Sequence, residues 1–277
     1  MASAQDSYVS SSPLVQGFPL QSVNLYLDSE DHEGVHLVAD DLQSDINKVT
    51  GHLPGISSEE ISSEYPIIIG TLGKNKWIDE LVADDKLKVS RIEGQWENFL
   101  IKVIQNPYPK VDKALVIVGS DKRGTIFGMY DLSEKMGVSP WHWWADVPVK
   151  TSDELFVIPG NHFSDTPKVK YRGIFINDEE PGLGNWARET FGGINSEMYE
   201  RVFKLILRLK GNYLWPAMWG KAFNEDDPRN PVLANTYGIV MGTSHHEPMV
   251  RAQKEWGTHR EDYGNGEWNY QTNEEGL

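Results

Sequence analysis

Apolar residues recur along this chain in two rhythms, one of the strand and one of the helix. Val23-Asn-Leu-Tyr-Leu27 predicts a strand. Val35, Val38, Leu42, Ile46 and Val49 follow at spacings of three and four, the pattern of one buried helix face, and Gly51 stands where that helix should stop. Tyr65 to Leu72, centred on Ile67, Ile68 and Ile69, predicts a second strand; Trp77, Ile78, Leu81 and Val82 predict a short helix. Phe99 to Ile104 alternates apolar with polar, as a half-buried strand does, and Ala114 to Val118 is wholly apolar up to Gly119. Ile126, Met129, Leu132 and Met136 then trace a helix face, with Asp121 or Thr125 as its cap and Gly137 at its end. Strand and helix signals alternate through residues 19–137, which predicts a compact α/β or α+β domain.

The second half changes its punctuation. Gly173, Ile174, Phe175 and Ile176 form a short apolar run, the composition of a strand buried on both faces. Asn177, Asp178, Glu179 and Glu180 follow at once, and Pro181 ends the ladder. Met198, Val202, Leu205, Ile206 and Leu209 predict a helix terminated by Gly211; Asn212 to Trp219 is the next strand with its loop. A Pro-bounded helix over Pro231 to Tyr237 leads to a third strand, Gly238 to Gly242, whose polar end is Thr243 to Pro248, and a further helix starts near Met249. Strands that finish in polar or aromatic side chains before each helix are the repeat of a (β/α) barrel, with its active face at the strand C-termini. A closed barrel needs eight such units and about 250 residues, and residues 170–277 hold about three. The expected fold class is therefore α/β: an N-terminal α/β domain followed by the first part of a (β/α)8 TIM barrel, truncated. The expected division is a tail at 1–18, the α/β domain at 19–150, a linker at 151–167 and the incomplete barrel at 168–277.

Composition narrows the partners. The formal net charge is −15, from 26 basic and 41 acidic residues, which argues against nucleic acid or an anionic membrane. An anionic substrate would need local basic help, for which Arg172, Lys122 and Arg123 are the candidates near these motifs. Cysteine is absent, which excludes disulfides, thiolate nucleophiles and thiolate metal sites. No apolar run approaches the roughly 18 residues of a membrane span, and Met1 to Ser12 lacks the basic start and apolar core of a signal peptide. Eight of the ten tryptophans follow residue 140, so the strand ends of the second half carry aromatic as well as acidic groups.

Those strand ends suit a glycosidase. Asp178, Glu179 and Glu180 offer acid, base or nucleophile; Trp215 and Trp219 offer platforms for sugar rings; His245, His246 and Glu247 offer hydrogen bonds to hydroxyls. A metal site is not expected. His245 and His246 are adjacent, so on an extended backbone they point to opposite sides, and the His-Glu-x-x-His spacing is missing. Gly119-Ser-Asp-Lys-Arg-Gly-Thr125 joins a strand to a helix without the glycine spacing or Lys-Ser/Thr end of a phosphate loop, and reads as a tight turn. Alternation leaves one question open. Asn177 and Glu179 share a side with Phe175, whereas Asp178 and Glu180 share one with Ile174.

Five blocks then carry a resemblance: Gly119 to Thr125, Ser139-Pro-Trp-His-Trp-Trp-Ala-Asp-Val-Pro148, Arg172-Gly-Ile-Phe-Ile-Asn-Asp-Glu179, Lys210-Gly-Asn-Tyr-Leu-Trp-Pro-Ala-Met-Trp219 and Thr243-Ser-His-His-Glu-Pro-Met249. In order and spacing they resemble glycoside hydrolase family 115. The resemblance implies an extracellular xylan α-1,2-glucuronidase that removes (4-O-methyl-)glucuronic acid side chains by inversion, without a cofactor. Its partners would be xylan or aldouronic acid oligosaccharides. It also implies catalytic roles for Glu179 and Asp178, with Glu179 first, and substrate binding by Asn177, Trp215, His245 and His246; Trp219 and Glu247 join these as neighbours at the same strand ends. The family's later carboxylates and a basic residue for the uronate fall after Leu277, so the chain alone is expected to be inactive. The alternatives are a non-catalytic carbohydrate-binding remnant and a hexosaminidase-like glycosidase, which shares the layout of an α/β domain before a barrel.

Overall fold

The computed structural model describes residues 7–12, 17–243 and 252–277. They fall into two units, Met1–Lys170 with Leu207–Lys210, and Tyr171–Ile206 with Gly211–Leu277. In the first unit the chain runs β1 (Val9–Ser10), β2 (Phe18–Pro19), β3 (Val23–Leu27), α1 (Glu33–Thr50), β4 (Ile56–Ser57), β5 (Tyr65–Thr71), α2 (Lys76–Ala83), β6 (Phe99–Tyr108), β7 (Val111–Gly119), α3 (Lys122–Lys135), β8 (Phe156–Val157) and β9 (Asn161–Phe163). A six-stranded sheet ordered β4-β3-β5-β7-β6-β9 forms its centre. β4, β3, β5 and β7 are parallel, and β6 pairs antiparallel with both β7 and β9.

The apolar runs are the reason for this centre. Ile67, Ile68 and Ile69 in β5 and Leu115 to Val118 in β7 are fully buried, each such side chain contributing roughly 1.5–3 kcal/mol by leaving water. α1 lays Val35, Val38, Leu42, Ile46 and Val49 into the core, and Gly51 ends it at φ 74°, a left-handed conformation that suits glycine. Asn75 caps α2 by accepting from the Trp77 and Ile78 amides, and Asp121 caps α3 by accepting from Gly124 N. Thr125, the other candidate cap, instead meets Thr71 Oγ1 at 2.8 Å. The Gly119 turn is tight by necessity: a Cβ there would lie 2.0 Å from Thr125 N.

The segment read as a tail holds β1 and the first residue of β2, and the segment read as a linker holds β8 and β9. β8 pairs antiparallel with β1 and β2, and β9 extends the main sheet. These strands are two or three residues long and their partners lie far away in sequence, so no local periodicity marks them.

The second unit runs β10 (Gly173–Phe175), α4 (Leu183–Phe191), α5 (Ser196–Arg208, whose last two residues fall in the first unit), β11 (Tyr213–Trp215), α6 (Phe223–Asp226), α7 (Arg229–Tyr237), β12 (Val240–Met241) and α8 (Gln253–His259). Its sheet is parallel and ordered β10-β11-β12, so consecutive strands are neighbours and each crossover is helical. Asp227 joins two helix starts, accepting from Ser196 N before α5 and Arg229 N at α7. The expectation that β10 is buried on both faces is overturned: Ile174 is 43% and Phe175 47% exposed. β10 is an edge strand with β11 on one side only, so its apolar composition is not matched by neighbours. No helix among the described residues is long and apolar enough to cross a membrane.

Candidate active site

The site grows from the end of β10. Ile176 N donates to Trp215 O at 3.0 Å, which carries the strand one residue further, and alternation then sorts the acidic run. Ile176 and Asp178 are buried, whereas Asn177 and Glu179 are exposed. Asp178 is 5% exposed, and its Oδ1 accepts from the backbone amides of Met218 (3.2 Å) and Trp219 (3.3 Å). Burial of this carboxylate is thus compensated by two donors, and the β11–α6 loop is held against the end of β10.

α4 forms the other wall. Gly184 in its first turn lets it come close: a Cβ there would lie 2.8 Å from Glu180 Oε1 and 3.0 Å from Asp178 O. Arg188, one turn on, meets Glu180 through Nη2 and donates from Nη1 to Asn185 Oδ1 at 2.7 Å. Between the walls lies a cleft of about 600 Å³, within the range of small-ligand sites. Asp178, Glu179, Glu180, Trp219, Arg188 and Lys221 line it, together with Gly184 and Gly192 to Ile194. The three carboxylates differ in their engagement. Asp178 is taken by backbone amides and Glu180 by Arg188; Glu179 makes no side-chain hydrogen bond or ion pair with any described residue.

The other residues singled out by sequence are distributed differently. Trp219 is in the cleft wall and 57% exposed. Trp215 lies on the sheet face instead, its ring 5.6 Å from Phe175 edge to face and its Nε1–H donating to Tyr213 Oη at 2.6 Å. Gly242 makes room for that pair, since a Cβ would lie 1.6 Å from Tyr213 Oη. Asn177 is outside the cleft lining. His245, His246 and Glu247 lie outside the described residues.

Sequence reasoning missed the two cations. Lys122 and Arg123 belong to the first unit, where Arg123 Nε meets the buried Glu97 at 2.5 Å and its guanidinium lies 4.5 Å above the Trp96 ring. Arg172 donates its backbone N–H to Asn212 Oδ1 and does not line the cleft. The basic groups that do are Arg188 and Lys221. The signal for Arg188 was present: Leu183, Trp186, Ala187 and Phe191 stand at helical spacing directly after the acidic run.

The profile of glycosyl hydrolase family 115 matches residues 164–277, a range that contains the whole cleft. Among solved structures, a family GH115 4-O-methyl-alpha-glucuronidase with specificity for decorated arabinogalactans, BtGH115A, superposes with a TM-score of 0.78. It is 32% identical, over 94% of this chain and 33% of its own. The chain resembles glycoside hydrolase family 115. It spans about a third of the length of that family-115 enzyme. Two further structures, of CpGH84D (TM-score 0.49, 10% identity, 85% of this chain and 35% of that one) and of a mutant Streptomyces plicatus beta-hexosaminidase with product (0.46, 10%, 86% and 45%), are too distant to bear on fold or function. No curated protein matches the sequence.

Proposed function

We propose that this chain is the N-terminal part of a family-115 glycoside hydrolase that removes (4-O-methyl-)glucuronic acid side chains from a plant polysaccharide. The observation that carries the proposal is the cleft. Glu179, an exposed carboxylate whose side chain has no partner among the described residues, and Trp219, an exposed indole, line one cleft at the end of a parallel strand within the family-matched range. The same parallel, sequentially ordered strands β10, β11 and β12 support the reading of this unit as the opening of a (β/α)8 barrel.

In an inverting mechanism one carboxyl group protonates the leaving oxygen while a second activates water on the opposite face of the sugar, the two standing roughly 6.5–9.5 Å apart. Glu179 fills one of these roles. Its partner lies in the chain that follows, in keeping with the one-third coverage of the family-115 relative. Trp219 stacks on a sugar ring, and Asn177, Trp215, His245, His246 and Glu247 complete the binding surface once the barrel is whole. That relative has specificity for decorated arabinogalactans, so xylan and arabinogalactan are the two backbones to compare.

The test is release of uronic acid from glucuronoxylan and from arabinogalactan, by this chain and by a protein extended beyond Leu277. The extended protein is expected to release it, and Glu179→Gln to lower the rate by about 10²-fold or more, the scale of a lost acid or base. Turnover by the 277-residue chain alone would refute the shared-carboxylate arrangement, and an unaffected Glu179→Gln enzyme would remove Glu179 from the chemistry.

A further inference from the structure

Three carboxylates and two cations share the cleft, and the two cations are not equivalent. Arg188 is engaged by Glu180 and Asn185. Lys221 is half-buried in the wall, and its ammonium makes no ion pair or hydrogen bond among the described residues. The backbone of the loop sets where this side chain enters the wall. The loop shows how. Asp178 Oδ1 fixes the Met218 and Trp219 amides, Lys221 N turns back to Met218 O at 3.4 Å, and Gly220 makes the turn at φ 61°. This left-handed corner between Trp219 and Lys221 brings both side chains into the cleft wall.

We infer that Lys221 meets the carboxylate of the uronic acid side chain, beside the basic residue that the family resemblance puts after Leu277, and that Asp178 is a positioning residue that holds the loop bearing Lys221 and Trp219. The inference rests on the proposed uronic acid substrate and deepens it. A neutral hexose would bring no charge to Lys221. A uronate would complete it with a charge-assisted hydrogen bond, about twice as strong as a neutral one, and would offset the repulsion from Glu179. Lys221 thus sets the preference for an anionic sugar, and Glu179 is left for chemistry.

The experiment is an NMR titration of the chain with methyl α-D-glucuronoside and with its neutral counterpart, methyl α-D-glucoside. The wild-type chain is expected to prefer the uronide by roughly tenfold or more, the scale of one hydrogen bond to a charged group. Lys221→Met should erase that preference and leave glucoside binding unchanged, and Lys221→Arg should retain part of it. Asp178→Ala should lower uronide affinity and speed hydrogen exchange at the Met218 and Trp219 amides, a readout that a direct charge effect would not move. Lys221 is half exposed, so its variants are expected to unfold at the wild-type temperature. A Lys221→Met chain that keeps the wild-type preference overturns the assignment while leaving the uronic acid reading intact. A wild-type chain that binds both equally overturns the uronic acid reading, and the assignment falls with it; where the 277-residue chain binds neither, the same comparison in the protein extended beyond Leu277 decides between these outcomes.

Discussion

Arg208→Met tests a buried ion pair within the first unit. Asp45 on α1 has a fully buried side chain, and that of Arg208 is 7% exposed; Nη2 lies 2.8 Å from Asp45 Oδ2. The guanidinium also lies 4.5 Å above the Tyr130 ring, and Tyr130 Oη donates to Asp41 Oδ2 at 2.6 Å, joining α1 to α3. Burial by itself would lower the Arg208 pKa; Asp45, Tyr130 and Asp41 together offset this and hold it above its ordinary value. Removing one partner of such a pair costs about 3–5 kcal/mol, because the other charge stays buried. Lys48 Nζ reaches Asp45 Oδ1 at 3.2 Å, which puts the expected loss near the lower end, about 3 kcal/mol. Asp45→Asn with Arg208→Met should cost less than the sum of the single changes by about 1–3 kcal/mol. Urea unfolding followed by circular dichroism, with slopes compared, gives each value. A single-variant loss under about 1 kcal/mol, or strict additivity, would mean the pair is solvated and the reasoning fails.

Acid should weaken the first unit. Burial, then the neighbouring Arg208, holds the His142 pKa below its ordinary value; burial, then the Lys122 and Lys74 charges, does the same for His32, with Asp31 and Asp121 opposing. The unfolded chain then binds more protons below about pH 6.5, so stability is full above that pH and falls on acidification. Thermal unfolding at pH 7.5 and 5.5 should show a drop that His142→Gln reduces; equal drops in both proteins would contradict it. Gly119→Ala places a Cβ 2.0 Å from Thr125 N and 2.3 Å from Thr125 Oγ1, so it should cost about 3 kcal/mol or more, and a loss below 1 kcal/mol by urea unfolding would show that the turn can yield.

What the sequence revealed divides along the range of the interactions involved. α1, α3, β5 and β7 were legible because a single window holds both their apolar spacing and their terminating glycines. β1, β2, β8 and β9 were not, since two- and three-residue strands exist only through partners such as Val157 opposite both Val9 and Phe18. β10 was found, but its burial was misjudged: an apolar run reports what a strand can bury, not whether both flanks are filled. In the cleft, the acidic run and Trp219 were visible as chemistry. Periodicity left open which of Asp178 and Glu179 turns inward; Ile176 and Asp178 are buried and Glu179 is exposed. Lys221 stood two residues past Trp219 without a marker, because its setting depends on an amide-to-carboxylate contact forty residues away in the chain.

The Asp178 anchor also decides when order is imposed on the loop that follows β11. A free loop between β11 and α6 would surrender conformational entropy on meeting a ligand, on the order of 1–2 kcal/mol for each residue fixed. Here Met218 and Trp219 are already fixed by the carboxylate that the preceding strand delivers, so that loss falls on folding. A ligand entering the cleft would meet this loop preorganised, and Asp178, the acid next to Glu179, is the group that makes it so.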